Sequence, residues 1–251
     1  MNNHSKVIDI KTLKVSCTDC SLSELCLPRG LNEGELEKLD NRVLRKKPIQ
    51  PGDQLFGNGL PGKSLYAVRS GAFKTYELST NGDEQILGFH LPGELIGFDA
   101  LADNYHHCTA TALVTSSACE IPLEQIQSLC NQLPGLQHQM MRIIGKEVNV
   151  DHEMLVLLGK KSAEERLATF FLNLSRRYQD RKLSPYEFNL PMSRMEIANY
   201  LGLTIETVSR IFTRFQKQKL IDVNRRLVHL KNIDELRSLV MEDEINRSDV
   251  S

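Results

Sequence analysis

The stretch Ser193–Leu220, SRMEIANYLGLTIETVSRIFTRFQKQKL, decides the architecture. Ser193 and Glu196 have the spacing of a capping box, in which each side chain reaches the other's backbone N–H at a helix start. Ala198, Gly202 and Val208 then fall at helix-turn-helix spacing: a small residue where two helices approach, a glycine in the turn, and an apolar residue docking the second helix. Ile197, Leu201, Leu203 and Ile211 supply the core between them, and Thr204 caps the second helix. On that helix Glu206, Ser209 and Arg210 stand at i, i+3 and i+4, on one face near the end that enters a major groove. Arg210 can bond guanine O6 and N7, Glu206 can accept from cytosine N4, and Ser209 can touch a base edge or thymine. The plainer alternative is a surface ion pair between Glu206 and Arg210, worth about 0.3–0.5 kcal/mol. Thr204, Arg214, Lys217, Lys219, Arg225 and Arg226 are then expected on phosphates, which fix position without reading sequence.

Working outward, Leu220–Val223 and Leu227–Leu230 read as a strand pair with a basic tip at Arg225 and Arg226, a wing beside the two helices. Residues 136–158 carry no proline and repeat apolar residues at helical spacing. Met141, Ile144, Val148, Leu155 and Leu158 follow a 3,4 pattern with Asp151 in the remaining position, which describes a coiled-coil seam between two copies with a carboxylate in it. A helix packed on its own domain with Asp151 at the rim is the other reading. From Pro48 to about Leu123, turn signals at roughly ten-residue spacing (Pro51-Gly52-Asp53, Pro61-Gly62, Ser70-Gly71, Asn81-Gly82-Asp83, Pro92-Gly93) punctuate runs of β-formers and predict an all-β roll or sandwich. Leu65–Val68 and Phe73–Leu78 are expected strands, and Asn81-Gly82 a tight hairpin.

The chain of 251 residues is 41% hydrophobic and 25% charged, ordinary values for a folded protein and room for two domains. Residues 160–231 hold 15 Lys and Arg against 7 Asp and Glu, a net of +8, so the remainder carries −9 within the overall −1. A basic module joined to an acidic one points to a polyanion for the C-terminal part. The acidic positions Asp234, Glu235, Glu242, Asp243 and Glu244 read as solvated surface. No apolar run reaches membrane-spanning length and no secretory signal opens the chain, so a cytoplasmic protein with no membrane partner is expected.

Three of the six cysteines stand as Cys17-x2-Cys20-x5-Cys26 in a segment too polar to bury a core. A cytoplasmic setting disfavours structural disulfides, and thiolates bind soft metals, so zinc and an iron–sulfur cluster are both live. The uneven spacing, with no second Cys-x2-Cys unit, leans toward a cluster. Spacing alone leaves the fourth ligand open among Cys108, Cys119 and Cys130; Cys130, following Ile126 and Leu129, reads as core. His90, His106 and His107 would be the ligands of a cupin-type metalloenzyme, but they lack that class's arrangement and read as surface or turn histidines.

The helix-turn-helix, the seam helix and the glycine-punctuated β roll, in this order, resemble the superfamily of the cyclic-AMP receptor protein and FNR, bacterial transcription regulators. LTIETVSRIFTRFQKQ and the N-terminal cysteines are similar to its oxygen-responsive FNR branch. The resemblance covers nearly the whole chain and implies an α+β fold: a jelly-roll of the cyclic-nucleotide-binding type, a long dimerisation helix and a winged helix-turn-helix. It implies domains at residues 1–30 (cluster segment), 31–135 (β roll), 136–159 (dimerisation helix) and 160–235 (DNA binding), with an acidic tail at 236–251.

The resemblance further implies one [4Fe–4S] cluster per monomer on Cys17, Cys20, Cys26 and Cys119. Cluster binding would favour a homodimer reading palindromes of TTGAT and ATCAA half-sites through Glu206, Ser209 and Arg210. Ile205 stands where the cyclic-AMP receptor protein has an Arg, so one guanine contact of that protein is absent. Phe98 and Cys108 replace the ribose-binding Glu and phosphate-binding Arg of nucleotide-binding members, so no cyclic nucleotide is expected. Ser21, Leu22, Leu25 and Leu27 are expected either to shield the cluster or simply to pack the loop. RNA polymerase contacts are expected at Asn81, Gly82 and Asp83 and at Thr115, Ser116 and Ser117.

Overall fold

A computed structural model describes residues 16–45 and 47–248, and over 241–248 only the helical backbone. Glu242, Asp243 and Glu244 therefore lie outside the described side chains, and the first half of the predicted cysteine segment lies outside the described residues.

Helix α1 (Glu33–Asp40) is started by a capping box between Asn32 and Glu35. Two antiparallel sheets follow and pack as a roll. One holds β1 (Leu44–Arg45), β8 (Ser117–Pro122), β3 (Ser64–Ser70) and β6 (Leu95–Ile96) in that order. The other holds β2 (Gln54–Phe56), β7 (Thr109–Ala112), β4 (Phe73–Leu78) and β5 (Glu84–His90). The predicted strands β3 and β4 are both present. The Asn81-Gly82 hairpin spans Ser79–Asp83, closed by the Ser79 N–H donating to the Asp83 carbonyl at 2.9 Å. Gly71 turns β3 into β4 at φ +77°, where a Cβ would lie 2.2 Å from Ser116 Oγ. Ser116 is only 1% exposed and its hydroxyl accepts from Ala72 N (3.0 Å) and donates to the Val114 carbonyl (2.7 Å). Its expected role in a polymerase contact is thereby corrected: the side chain is spent on holding this turn.

Helix α2 (Leu123–Gln132) is separated from α3 (Pro134–Lys160) by Leu133, which the following proline holds extended. One side of α3 is buried on the roll through Leu136, Gln139, Met140 and Ile143. On the other side Met141 is 61%, Val148 45% and Leu155 69% exposed, a seven-residue apolar repeat with exposed Asp151 in its line. Ile144 and Leu158, expected in the same seam, are half-buried within their own chain: Ile144 packs against the roll's core, and Leu158 lies beside the Gly202 turn.

The C-terminal domain comprises α4 (Ala163–Asp180), β9 (Glu187–Asn189), α5 (Arg194–Tyr200), α6 (Ile205–Lys217), β10 (Ile221–Asn224), β11 (Leu227–Leu230) and α7 (Ile233–Ser248). The predicted wing is β10–β11, and β9 adds a third strand against β11. Helix α7 runs across the predicted tail boundary at 235/236, because Leu236 is fully buried in the domain's core. Asp234 and Glu235 are exposed, as expected. That core also continues into the β roll, where Ala72, Ile86, Phe89 and Leu91 join it.

Candidate nucleic-acid interface and cysteine pocket

The helix-turn-helix assembles from local interactions. Ser193 Oγ accepts from Glu196 N, and the Glu196 carboxylate accepts from Ser193 N at 2.8 Å, so the expected capping box is present. Gly202 turns the chain at φ +61°, and the Leu203 N–H donates to the Ala198 carbonyl at 2.9 Å. Thr204 Oγ1 caps α6 by accepting from Thr207 N. Val208, Ile211, Phe212 and Phe215 bury one side of α6, and the Arg194 guanidinium lies 4.7 Å over the Phe212 ring. The opposite side presents Glu206 and Arg210 exposed and Ser209 half-exposed, as a groove-reading face requires. Arg210 donates to Thr207 Oγ1 at 3.1 Å; among the described residues no ion pair joins it to Glu206.

The phosphate candidates divide. Lys217, Lys219 and Arg225 are exposed, the last two at positive φ where α6 and the wing turn. Arg226 is exposed and bonds the Pro191 carbonyl at 3.3 Å. Arg214 is already paired with Glu164 of α4 and must exchange that partner to reach a phosphate. Sequence reasoning missed Arg166, whose guanidinium donates to the carbonyls of Leu158, Lys161 and Leu201 at 2.8–3.0 Å and so ties the end of α3 to the turn between α5 and α6. No local pattern marks it, since it joins the end of α3 to a turn 35 residues further along the chain.

In the roll, Cys17, Cys20, Cys26 and Cys119 line one small pocket that is partly open to solvent. The loop from Cys17 to Cys26 is a succession of tight backbone turns, and Cys119 stands on β8 opposite Arg45 and Ala67. Leu22, Leu27, Leu39, Val43 and Ile121 make the wall apolar. Cys108 and Cys130 do not line it; Cys108 is buried against Asp99, and Cys130 is half-buried beside α2's core.

Of the four shell candidates, Leu22 and Leu27 line the pocket. Ser21 borders a separate cavity beside Tyr178 and Arg226, and Leu25 lies against Gly93. Ser23, Arg69 and Asp40 were missed. Ser23 and Arg69 line the pocket, and Asp40 accepts from Cys17 N at 2.7 Å.

The thiols are soft donors in a dry setting. Burial pushes Cys26 up to about 12, with the Leu27 N–H pulling it down and the other cysteines' charge adding to the rise. Burial also raises Cys17, helped by Asp40, and Cys119, whose shift Arg69 and Arg45 oppose. These three shifts favour the protonated thiol in the absence of a bound metal, so metal binding would release protons. Among the described residues no three His, Cys, Asp or Glu side chains converge closely enough to hold a single ion. The donor set and the enclosed apolar wall fit an iron–sulfur centre in their chemistry.

The pocket is joined to α3. Gln139, 4% exposed, donates from Nε2 to the Cys26 carbonyl at 2.9 Å, while its Oε1 accepts from Arg142 Nε at 3.0 Å. Leu27, 1% exposed, packs with Leu136, Met140 and Ile143.

His106 is buried rather than a surface histidine, because its ring stacks on Phe56 (3.6 Å between centroids, 8° between planes) with Nδ1 3.3 Å from Asp99. Asp99 also accepts from the backbone N–H groups of His107 (2.8 Å) and Cys108 (3.3 Å), so a carboxylate occupies these main-chain donors.

Residues 165–239 match the family described as the Crp-like helix-turn-helix domain, and residues 46–133 the cyclic nucleotide-binding domain. The fumarate and nitrate reduction regulatory proteins of Salmonella typhimurium and Escherichia coli are each 52% identical to this chain over 225 residues, which is 90% of this chain and 90% of theirs. Among solved structures, FixK2 from Bradyrhizobium japonicum is similar with a TM-score of 0.72 at 29% identity, covering 78% of this chain and 96% of that one. The curated relatives are regulators and not enzymes, which removes the metalloenzyme alternative. With the helix-turn-helix, the roll and this degree of identity together, the chain belongs to the CRP/FNR family of DNA-binding transcription regulators, in its fumarate and nitrate reduction branch.

Proposed function

We propose that this chain is an oxygen-responsive regulator holding one [4Fe–4S] cluster per monomer on Cys17, Cys20, Cys26 and Cys119. The observation that carries the reading is the meeting of these four thiols in one pocket whose loop is bonded and packed directly onto α3. When bound, the cluster supplies an oxygen-reactive centre. The chain's own residues do the rest. Thiolates tie the loop to β8, Gln139 and Leu27 tie the loop to α3, and the ordered helix pairs with its symmetry mate along Met141, Val148 and Leu155. Asp151 opposes that pairing, since two carboxylates approaching across the axis suffer desolvation and like charge. A dimer so balanced is controllable by a coupling of about 1–3 kcal/mol, which changes occupancy roughly 5- to 150-fold.

The dimer presents two α6 helices to TTGAT and ATCAA half-sites, with Glu206, Ser209 and Arg210 reading bases. RNA polymerase meets the Asn81-Gly82-Asp83 loop and Thr115 with Ser117. The protein works in the cytoplasm, without a membrane partner; among the described residues no helix is long and apolar enough to cross a membrane. Cyclic nucleotide is not the signal, and Asp99 supports this, because its charge repels a phosphate at those backbone donors.

The test is to purify the protein without oxygen, assay iron and sulfide, and follow the visible spectrum and sedimentation as air is admitted. About four irons and four sulfides per chain, with absorbance loss accompanying a shift from dimer to monomer, is the expected result. Zinc without sulfide would overturn the cluster and leave a family member gated by another ligand.

A further inference from the structure

We infer that a polar joint built on Asn199, Glu94 and Lys74 fixes the DNA-binding domain on its own β roll and so determines which half-site spacing the dimer accepts. This rests on the reading above that a dimer binds a palindrome.

Strand β5 is the edge of its sheet, and its unpaired backbone groups need a partner. Asn199 of α5 provides one in the manner of a neighbouring strand: Oδ1 accepts from Ile86 N at 2.7 Å and Nδ2 donates to the Glu84 carbonyl at 2.5 Å. Beside it Lys74 of β4 bridges Glu84 (2.5 Å) and Glu196 (3.3 Å), and Glu196 is the residue whose carboxylate caps α5. At the other end of β5, Glu94 receives Arg177 Nε at 3.0 Å and the terminal amines of Arg177 and Arg181 at 2.5 and 2.7 Å. Arg177 also donates to the Phe89 carbonyl at 2.5 Å. Arg181 is 5% exposed and Arg177 and Glu94 19% each, so these charges are largely shielded from water.

Between the two ends lies an apolar floor, with Phe89 5.0 Å from Tyr200 and 6.3 Å from Phe170. Apolar contact holds the domains together without fixing their rotation, because burial is non-directional. Hydrogen bonds at both ends of one strand do fix it, because they fail when misaligned. Inserting one base pair between half-sites moves the second by about 3.4 Å and turns it by about 35°. A freely rotating domain would follow that change and a clamped one would not.

The experiment uses anaerobically loaded full-length protein and three palindromes, one with the preferred spacer and two with the spacer longer or shorter by one base pair. Dimerisation is measured in parallel by sedimentation. Wild type should prefer one spacer strongly. Asn199→Ala and Glu94→Gln should remain dimeric and lose at least tenfold of that preference, whereas Lys74→Met, which removes the lysine bridge and leaves the Asn199 and Glu94 bonds in place, should lose less. A folded, dimeric variant pair with the wild-type spacing profile would overturn the joint's role alone. A wild type indifferent to spacer, or binding as a monomer, would overturn both the joint and the dimer reading beneath it.

Discussion

Two joints connect the parts of this molecule, and they are built from opposite materials. The cysteine loop is held on α3 by a buried hydrogen bond from Gln139 and by the packing of Leu27, beside the pocket that the thiols line. The DNA-binding domain is held on the roll by a continuous apolar core and by two arginines paired with Glu94. The first joint is small and lined by soft thiols, whereas the second is broad and charged. On the function proposed above such a division suits a sensor, in which the input contact depends on what the thiols bind and the output contact transmits without yielding.

The largest expected effect comes from breaking the second joint. Glu94→Ala leaves Arg177 and Arg181 buried against each other without their carboxylate and should cost about 3–5 kcal/mol in urea denaturation. An unchanged midpoint would mean that the charges are solvated and the joint rests on its apolar floor.

Next is Asp151→Ala, which on the proposed seam removes carboxylate repulsion and should shift the cluster-free protein toward dimer by the equivalent of about 1–3 kcal/mol. A variant still monomeric in air by sedimentation would remove Asp151 from the account of the seam.

The input joint should give way more cheaply. Gln139→Leu removes the shorter of the two bonds to the Cys26 carbonyl, leaving the one from Arg29 N at 3.4 Å, at a cost of about 0.5–1.5 kcal/mol. Hydrogen exchange should then speed up over residues 17–29 while the DNA-binding domain stays protected, and uniform acceleration would erase the contrast between the joints.

The smallest effect is a slope. Burial works against the Glu94 charge, but Arg177 and Arg181 outweigh it and hold the carboxyl at about 2, below the ordinary 4.5. Its stabilisation is present above pH 4.5 and is lost as pH falls toward 2. Glu147 on α3 behaves oppositely: burial, and then the Glu94 charge, push it up to about 7. The folded state therefore binds its proton more tightly than the unfolded chain, and stability declines as pH rises from 4.5 to 7. Glu147→Gln should flatten that decline in a series of thermal melts, leaving the acid loss due to Glu94; an unaltered slope would assign it to other groups.

The two joints also differ in how far they could be read in advance. The helix-turn-helix was legible residue by residue, since its capping box, its positive-φ glycine and its buried stripe act over a few positions. The roll was legible through its turns, whereas β9 of the C-terminal domain was too short to announce itself. His106 looked like a turn residue because stacking on Phe56 and a bond to Asp99 are invisible in a linear pattern. Ser116 sat in an apparent surface loop and proved to be the peg that Gly71 closes upon. The acidic character of the tail concealed Leu236, one apolar residue that carries α7 into the core.

The amino-acid sequence by itself determined the reading head: α5 and α6, their caps, the turn between them and the polar face of Glu206, Ser209 and Arg210. Tertiary structure alone decided which distant groups meet. It brought Cys119 to the N-terminal loop, Gln139 to the Cys26 carbonyl and Asn199 to the edge of β5, 113 residues away along the chain from Ile86. The physical reason is reach. Helix starts and turns are settled by bonds between residues three or four apart, whereas these contacts form only after the chain has met the entropy of closing long loops, and the packing of the whole core selects them.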